Sequence, residues 1–358
     1  MRFDAVLLAS FGGPESPDEV LPFLERVTAG RGVTRERLDG VAQHYLDLGG
    51  VSPINAQNRQ LITALEEELT RRGAPQRIYW GNRNSAPFFA EALQRCHADG
   101  HRRVLAVATS AYSSYSGCRQ YRENLAQALE ESGLADDLAI AKIRPYYDQP
   151  GFIERFAAGV AQALGDLAHR GIDTVNIHVI FTTHSIPESM ALMSGPAGAR
   201  ADARPGAYES QHLDVATRVM RAAVGNESDA PAWSLAFQSR SGPPQLPWLE
   251  PDINTALADL ASTGVTSVIV APIGFVSDHV EVIWDLDHDA AETAQHLGLH
   301  LTRVPTPGTD PDFVTALADL VQEALYGRDL QHAPDWATLC TGACCPNERA
   351  DLPVVPAV

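Results

Sequence analysis

The chain has 358 residues, 45% of them hydrophobic, and a formal net charge of −18. That length allows two domains of ordinary size with sizeable cores. The acid surplus excludes nucleic acid as a partner class, because no basic excess is left to neutralise phosphates. It equally opposes broad attraction to an anionic membrane.

In chain order, the first element is a short apolar run, Asp4–Ser10. Its length and the early Asp4 predict a buried strand and no signal peptide. Seven further runs predict strands: Arg77–Gly81, Val104–Thr109, Leu138–Ile143, Val175–Thr182, Ser234–Gln238, Ser267–Pro272 and His300–Val304. Amphipathic segments between them predict helices, among them Ile54–Arg72, Ala86–Ala98, Gln120–Ser132 and Gly151–Arg170. Alternation of this kind predicts an α/β fold with parallel sheets flanked by helices. The strands fall into two sets of four. Each set opens on a strand that ends in small polar residues, Ser10-Phe-Gly-Gly-Pro14 and Thr182-Thr-His-Ser-Ile-Pro187. Each third strand leads into an aromatic-rich loop, Ser110–Cys118 and Gly274–Glu281. The reading is two similar Rossmann-like domains, each with a parallel four-stranded sheet, and a cleft between them. Asp148-Gln-Pro-Gly151 breaks the periodicity, so the domains are expected at 1–148 and 149–327, with an appended tail at 328–358. Met193–Ala207, rich in Gly, Ala and Arg, reads as a mobile loop. No stretch reaches the roughly 18 apolar residues of a membrane helix. A soluble, cytoplasmic protein without integral membrane association is expected.

Two residues stand out for chemistry. His184 and Glu281 each follow a nearly continuous apolar run that ends in small polar residues. Such runs read as buried parallel strands, and ligands of open α/β sheets bind beyond their carboxyl ends. The two side chains are therefore expected to face each other across the cleft. A neutral histidine can take a proton or hold a metal near neutral pH, and a carboxylate beside it can relay protons or hold a hard cation. The simpler alternatives are a buried histidine satisfied by backbone carbonyls and a carboxylate at a helix start. Glu281, Asp285 and Asp289 follow at i, i+4 and i+8, which on a helix makes one acidic stripe. Flanking Val280, Val282, Ile283 and Trp284 argue against a wholly solvated face.

An ordered set of motifs accompanies this pair: Leu7-Leu-Ala-Ser-Phe-Gly-Gly-Pro14, Leu48-Gly-Gly-Val-Ser-Pro-Ile54, Gly81-Asn-Arg-Asn84, Gln238-Ser239 and Pro247-Trp-Leu-Glu-Pro-Asp252. From about residue 4 to 325 the chain resembles the ferrochelatase family, enzymes that insert iron(II) into a porphyrin. The resemblance implies a chelatase-type two-domain fold. It also implies that His184 and Glu281 are the catalytic pair at the iron-entry face, with Asp285 and Asp289 as an outer metal or proton-relay site. Metallation must bend a flat ring and remove two inner protons, so binding of a bent ring is complementarity to the transition state. Phe11 stands where some relatives carry tyrosine, which leaves no ligand on the face opposite the histidine. Porphyrin-binding candidates are Phe11, Arg31, Ser52, Arg83, Asn84, Ser116, Arg119, Tyr121 and Trp248. Arg122, Tyr112, Tyr115 and Phe275 are weaker ones. Arginine suits propionate because its planar fork pairs with carboxylate.

Cys118, Cys340, Cys344 and Cys345 supply four thiols, three of them in the tail, while Cys96 reads as a lone thiol. Four thiolates suit a [2Fe–2S] cluster or a structural zinc. The resemblance implies the cluster, since some ferrochelatases carry one on a cysteine near position 118 and three near the C-terminus. Composition and the tail cysteines resemble actinobacterial members, which use coproporphyrin III and hand the product to a coproheme decarboxylase. The alternatives are protoporphyrin IX as substrate, a cobalt or nickel tetrapyrrole chelatase (with His279 as its second histidine), and a non-enzymatic sensor on a chelatase fold. A monomer is expected.

Overall fold

The computed structural model of the protein describes residues 3–30, 32–196, 205–225, 230–242, 245–326 and 343–358. All eight expected strands form, in two parallel sheets. The first holds β1 (Ala5–Ser10), β2 (Ile78–Asn82), β3 (Arg103–Ala108) and β4 (Ala139–Lys142), in the order β2-β1-β3-β4. The second holds β5 (Ile177–His184), β6 (Ala232–Gln238), β7 (Ser267–Ala271) and β8 (His300–Arg303), in the order β6-β5-β7-β8. The two orders are the same, which confirms the pseudo-repeat. Register is fixed by pairs such as Leu7↔Tyr79, Leu7↔Ala106, Phe181↔Leu235 and Phe181↔Ala271. β1 and β7 are buried along their whole length, which is why their sequences are continuous apolar runs.

The helices are α1 (Pro17–Val27), α2 (Arg35–Asp47), α3 (Ile54–Arg71), α4 (Phe89–Ala98), α5 (Gln120–Ser132), α6 (Pro150–His169), α7 (Glu188–Leu192), α8 (Ala207–Val224), α9 (Ile253–Ala261), α10 (Val280–Ile283), α11 (Ala290–His296) and α12 (Pro311–Tyr326). Local chemistry sets several ends. Thr34 and Asp252 cap α2 and α9 with their side chains, Pro17 and Pro150 open α1 and α6, and Gly133 closes α5 with φ of 69°. A short π-helix follows the third strand of each half, Tyr115–Arg119 before α5 and Trp284–Asp289 before α11. This is a second mark of the repeat.

The halves share one core. Leu65 of α3, Phe152 and Phe156 of α6, Phe181 of β5 and Phe313 of α12 belong to a single buried apolar cluster. Each such side chain contributes about 1.5–3 kcal/mol by leaving water. α12 returns to the first half, where Arg72 at the end of α3 bonds Asp319 at 2.5 Å and the Thr315 carbonyl at 3.1 Å.

Residues 343–358 strap the outside. The Lys142 and Arg144 amides donate to the Pro356 and Val358 carbonyls at 2.9 and 2.7 Å, so the tail covers the exposed edge of β4. Arg122 Nε reaches the Val355 carbonyl at 2.7 Å, and Asn347 reaches Glu123 at 3.2 Å. On the second half, Ser189 donates to Glu348 at 3.1 Å. Lys142 is the sole lysine of the sequence; it is buried, and its ammonium donates to the Ile143 carbonyl at 2.9 Å.

Candidate active site

β5 and β7 are neighbours, yet β6 lies on the far side of β5. The chain therefore changes direction between them, and a crevice opens at the carboxyl ends of such a pair. His184 is the last residue of β5. Glu281 lies in α10, which follows β7 after a loop. His184 Nε2 stands 3.9 Å from Glu281 Oε2. The sequence reading is corrected on one point: the two do not face each other from opposite halves but meet within the second half, His184 at the end of β5 and Glu281 in α10 beyond the neighbouring β7. The first half contributes from the opposite side. Val280 packs in one apolar cluster with Val20, Phe23 and Tyr45 of α1 and α2, and Phe11 leans on that cluster from the end of β1.

The imidazole of His184 is oriented by its own loop. Its Nδ1 lies 2.5 Å from the Ser185 carbonyl, which can only accept, so Nδ1 carries the proton. In the neutral ring, Nε2 then keeps its lone pair, directed towards Glu281. The loop is held by the segment after β6. Ser185 N–H donates to Gln238 O at 2.7 Å, and Leu249 N–H to Ile186 O at 3.0 Å. Trp248 pairs with Pro187 in an antiparallel bridge. Gly274 approaches Thr183 so closely that a Cβ there would meet the Thr183 Cα at 2.7 Å, so only glycine fits beside β5.

Asp285 is a strongly perturbed carboxylate. Burial raises it to about 6, a hydrogen bond from Ser239 opposes that, and the charge of Glu281 adds to the rise. Ser239 Oγ–H and Gln238 Nε2–H both donate to Asp285 Oδ2, the second at 3.2 Å. Ser239 adopts φ of 60°, a left-handed conformation that serine pays to hold. His279, packed edge-on against Phe275 at 5.3 Å, is pushed down to about 3, by burial first and by His184 second. Asp289 is half exposed and contacts its neighbour His288 at 3.1 Å. The acidic stripe is thus not one face of a regular α-helix. The π-helix at Trp284–Asp289 interrupts it, turns Asp285 inward to Ser239 and Gln238 and leaves Asp289 beside His288. Trp284 of that π-helix is sandwiched between His288 at 4.3 Å and His44 of α2 at 4.0 Å.

Of the porphyrin-binding candidates, the structure joins five through direct contacts: Phe11, Arg83, Asn84, Ser116 and Tyr121. Arg83 lies over the rings of Tyr121 at 4.0 Å and Phe11 at 5.9 Å, and bonds the Ser116 carbonyl at 3.4 Å. Tyr121 itself is buried in the first-half core. Asn84 is buried and donates to the Phe11 carbonyl at 3.1 Å, shaping the turn after β1. Ser52 is buried against Gly13, its amide bonded to the Pro14 carbonyl at 2.8 Å. Trp248 lies with the His184 loop on the other half, and its buried indole Nε1–H has no hydrogen-bond partner among the described residues. Arg119 is reassigned: it is buried and paired with Glu123 at 2.8 Å beneath the tail, so its charge is committed there. Arg31 and Cys340 lie outside the described residues, as does much of the Met193–Ala207 loop.

Cys118, Cys344 and Cys345 are all buried, and the sulfurs of the adjacent pair stand 3.9 Å apart. Gly195 N–H donates to Cys345 Sγ at 3.1 Å. Among the described residues no three metal-ligating side chains are gathered as an ion site. Among them, too, no helix is long and apolar enough to cross a membrane. Sequence reasoning assigned no role to Ser239, to Tyr208 or to Arg303, which bonds Asp278 and Asp287 at 3.0 and 2.5 Å and so ties both ends of the Glu281 segment. Ser239 stood inside a noted motif; the other two carried no local signal.

Two repeated parallel α/β sheets, with a histidine, carboxylates and an arginine-aromatic cluster at their strand ends, define a chelatase-type enzyme. The family model for ferrochelatase matches residues 3–325, and the chain belongs to the ferrochelatase family. Relatives named coproporphyrin III ferrochelatase are similar over nearly the whole chain. The protein of Leifsonia xyli is 49% identical, covering 98% of this chain and 92% of its own. That of Streptomyces coelicolor is 48% identical, covering 98% and 95%. That of Mycolicibacterium smegmatis is 46% identical, covering 91% of each. Among solved structures, SirB from Bacillus subtilis with Fe3+ superposes with a TM-score of 0.49 at 12% identity, covering 90% of this chain and 96% of its own.

Proposed function

We propose that the protein inserts Fe(II) into coproporphyrin III, releasing two protons per ring. The observation that carries this reading is the near full-length likeness to relatives of that name, at 49% identity in one case. The chain's own residues divide the work. His184 Nε2 accepts an inner proton and touches the incoming iron, and Glu281 beside it takes the proton onward or holds the ion. Asp285 and Asp289 form an outer site on the approach. Arg83, with Ser52, Asn84 and Ser116 near the turn after β1, offers donors for propionates, and Phe11 and Trp248 flank the ring from opposite halves. A division at 1–148, 149–327 and 328–358 is supported by β1–β4 and β5–β8 lying in separate sheets.

The test is anaerobic Fe(II) insertion with coproporphyrin III and protoporphyrin IX side by side, followed by loss of free-porphyrin absorbance. A kcat/KM at least about tenfold higher for coproporphyrin is expected. Preference for protoporphyrin IX would retain iron insertion and overturn the substrate. Turnover with cobalt or nickel alone would move the protein to a different chelatase class. The product, an iron coproporphyrin, then passes to a decarboxylating enzyme in the cytoplasm.

We further propose a [2Fe–2S] cluster on Cys118, Cys344, Cys345 and Cys340. What supports it is the donor chemistry: buried thiols, an adjacent pair and an N–H aimed at one sulfur. When bound, the group would supply a covalent clamp of the tail, since metallation transfers no electrons. Protein purified without oxygen should show visible charge-transfer absorption and near-equal iron and acid-labile sulfide, both lost in Cys118→Ser. Colourless protein without sulfide would refute the cluster.

A further inference from the structure

Tyr208 lies in the first turn of α8 and is buried. Its hydroxyl has two partners, Thr183 Oγ1 at 2.7 Å and the His184 carbonyl at 2.8 Å. A carbonyl only accepts, so Tyr208 donates to His184 and Thr183 donates to Tyr208. The proton arrangement is unique. The peptide between His184 and Ser185 is then fixed at both poles, its C=O by Tyr208 and its N–H by the Gln238 carbonyl at 2.7 Å. The next carbonyl along, that of Ser185, is the one that holds the His184 imidazole at 2.5 Å. Rotation of the first peptide would therefore swing the acceptor that aims the ring.

Tyr208 is in turn anchored from two sides. Its amide donates to Ser194 Oγ at 2.7 Å, and the neighbouring Gly195 is gripped by Cys345 of the tail through amide and sulfur contacts of 3.1 Å each. Its ring meets His212 at 4.5 Å, and His212 stacks on Tyr112 of the first half at 3.6 Å. Tyr112 closes the pile by donating to the Ile273 carbonyl, in the β7 loop, at 3.0 Å.

We propose that Tyr208 is a positioning residue for the catalytic histidine: its hydroxyl holds the His184–Ser185 peptide and so directs Nε2 towards the iron-binding face. The inference rests on the reading of the chain as a ferrochelatase with His184 as proton acceptor. Tyr208→Phe removes one oxygen and no ring. It should lower kcat for iron insertion by about tenfold or more, the range seen when an outer partner of a metal-binding histidine is lost. Porphyrin affinity, read by quenching of porphyrin fluorescence, should stay within about twofold, because no ring contact changes. The ring ¹⁵N resonances of His184 should move from a single Nδ1–H form towards a mixture of tautomers, which a purely structural role would not produce. Should Tyr208→Phe fail to fold, Thr183→Val with Tyr208→Phe removes the stranded hydroxyl partner as well, a pairing that costs far less stability. The double variant should show the same kcat loss and the same ring shift. Wild-type kcat together with unchanged ring signals, in either variant, overturns the proposal. If the unaltered protein metallates neither porphyrin, the functional reading fails by itself, and the ring signals still decide whether Tyr208 orients His184.

Discussion

His184→Ala should lower iron insertion by about 10²- to 10⁴-fold, the range for loss of a positioned proton acceptor. The substitution removes Nε2, the atom 3.9 Å from Glu281, and with it both the base and a metal contact. It also removes the Nδ1–H donor to the Ser185 carbonyl, but the ring is partly exposed and water can replace that donor. The stability cost should therefore stay near 1 kcal/mol. No buried ring is left to collapse, so porphyrin should still bind and quench. The measurement is single-turnover insertion under anaerobic conditions, with porphyrin binding measured separately. A rate within tenfold of the unaltered protein would remove His184 from the chemistry and shift the base to Glu281. Glu281→Gln, which keeps shape and removes charge, is the matched comparison.

Acid should destabilise the fold chiefly through its buried histidines, and His212 is the cleanest case. It is buried in α8 between Tyr112 and Tyr208, its Nδ1–H donates to the Tyr208 carbonyl at 2.7 Å, and its Nε2 has no hydrogen-bond partner among the described residues. Burial pushes it down to about 3, against roughly 6.5 for an unfolded histidine. The folded state keeps the ring neutral while the unfolded state binds a proton. Stability is then lost as pH falls from about 6.5 towards 3, by up to about 1.4 kcal/mol per pH unit from this site. Asp285, raised to about 6, acts in the opposite sense between the usual carboxylate range and that value. His212→Phe keeps the stacking ring and removes the titration. Its denaturation midpoint should hold up better than that of the unaltered protein at pH 5, with the gap closing at pH 7. Parallel pH profiles for the two proteins would show that His212 does not set the acid limit. The Asp285 contribution is common to both and cancels in the difference.

How much was legible follows from what is local. The central strands could be read because buried parallel strands are nearly continuous apolar runs, and β1 and β7 are buried at every residue, whereas the edge strand β8 is half-buried and was placed by its position in the alternation. The helix Gln120–Ser132 was legible to the residue because Gly133 stops it. What failed depended on contacts far apart in sequence. That His184, at the end of β5, meets Glu281, in α10 beyond β7, is a matter of strand order, with β6 placed outside β5, and no local pattern encodes that order. The π-helix at Trp284–Asp289 shares its residue types with an α-helix, so the acidic spacing was read on the wrong period. Arg119 is the exception: its partner Glu123 stands four residues on, so the pairing was local, and what the sequence did not show is the burial of that pair beneath the tail. Tyr208 was invisible for a similar reason: its two partners lie on β5, across the Met193–Ala207 segment.

The burial of Lys142 reaches into how this protein meets reagents and enzymes. All of its other side-chain cations of fixed charge are guanidinium groups, because the sequence contains no second lysine. Acylating and conjugating chemistry aimed at lysine ammonium groups finds no exposed target on the folded chain. A protease that cuts after lysine has one bond to attack, and that bond is the first to leave β4, under the strap of residues 356–358. Cleavage or labelling at Lys142 thus reports the lifting of that strap from the sheet edge, a clock for local opening that the chain carries at a single position.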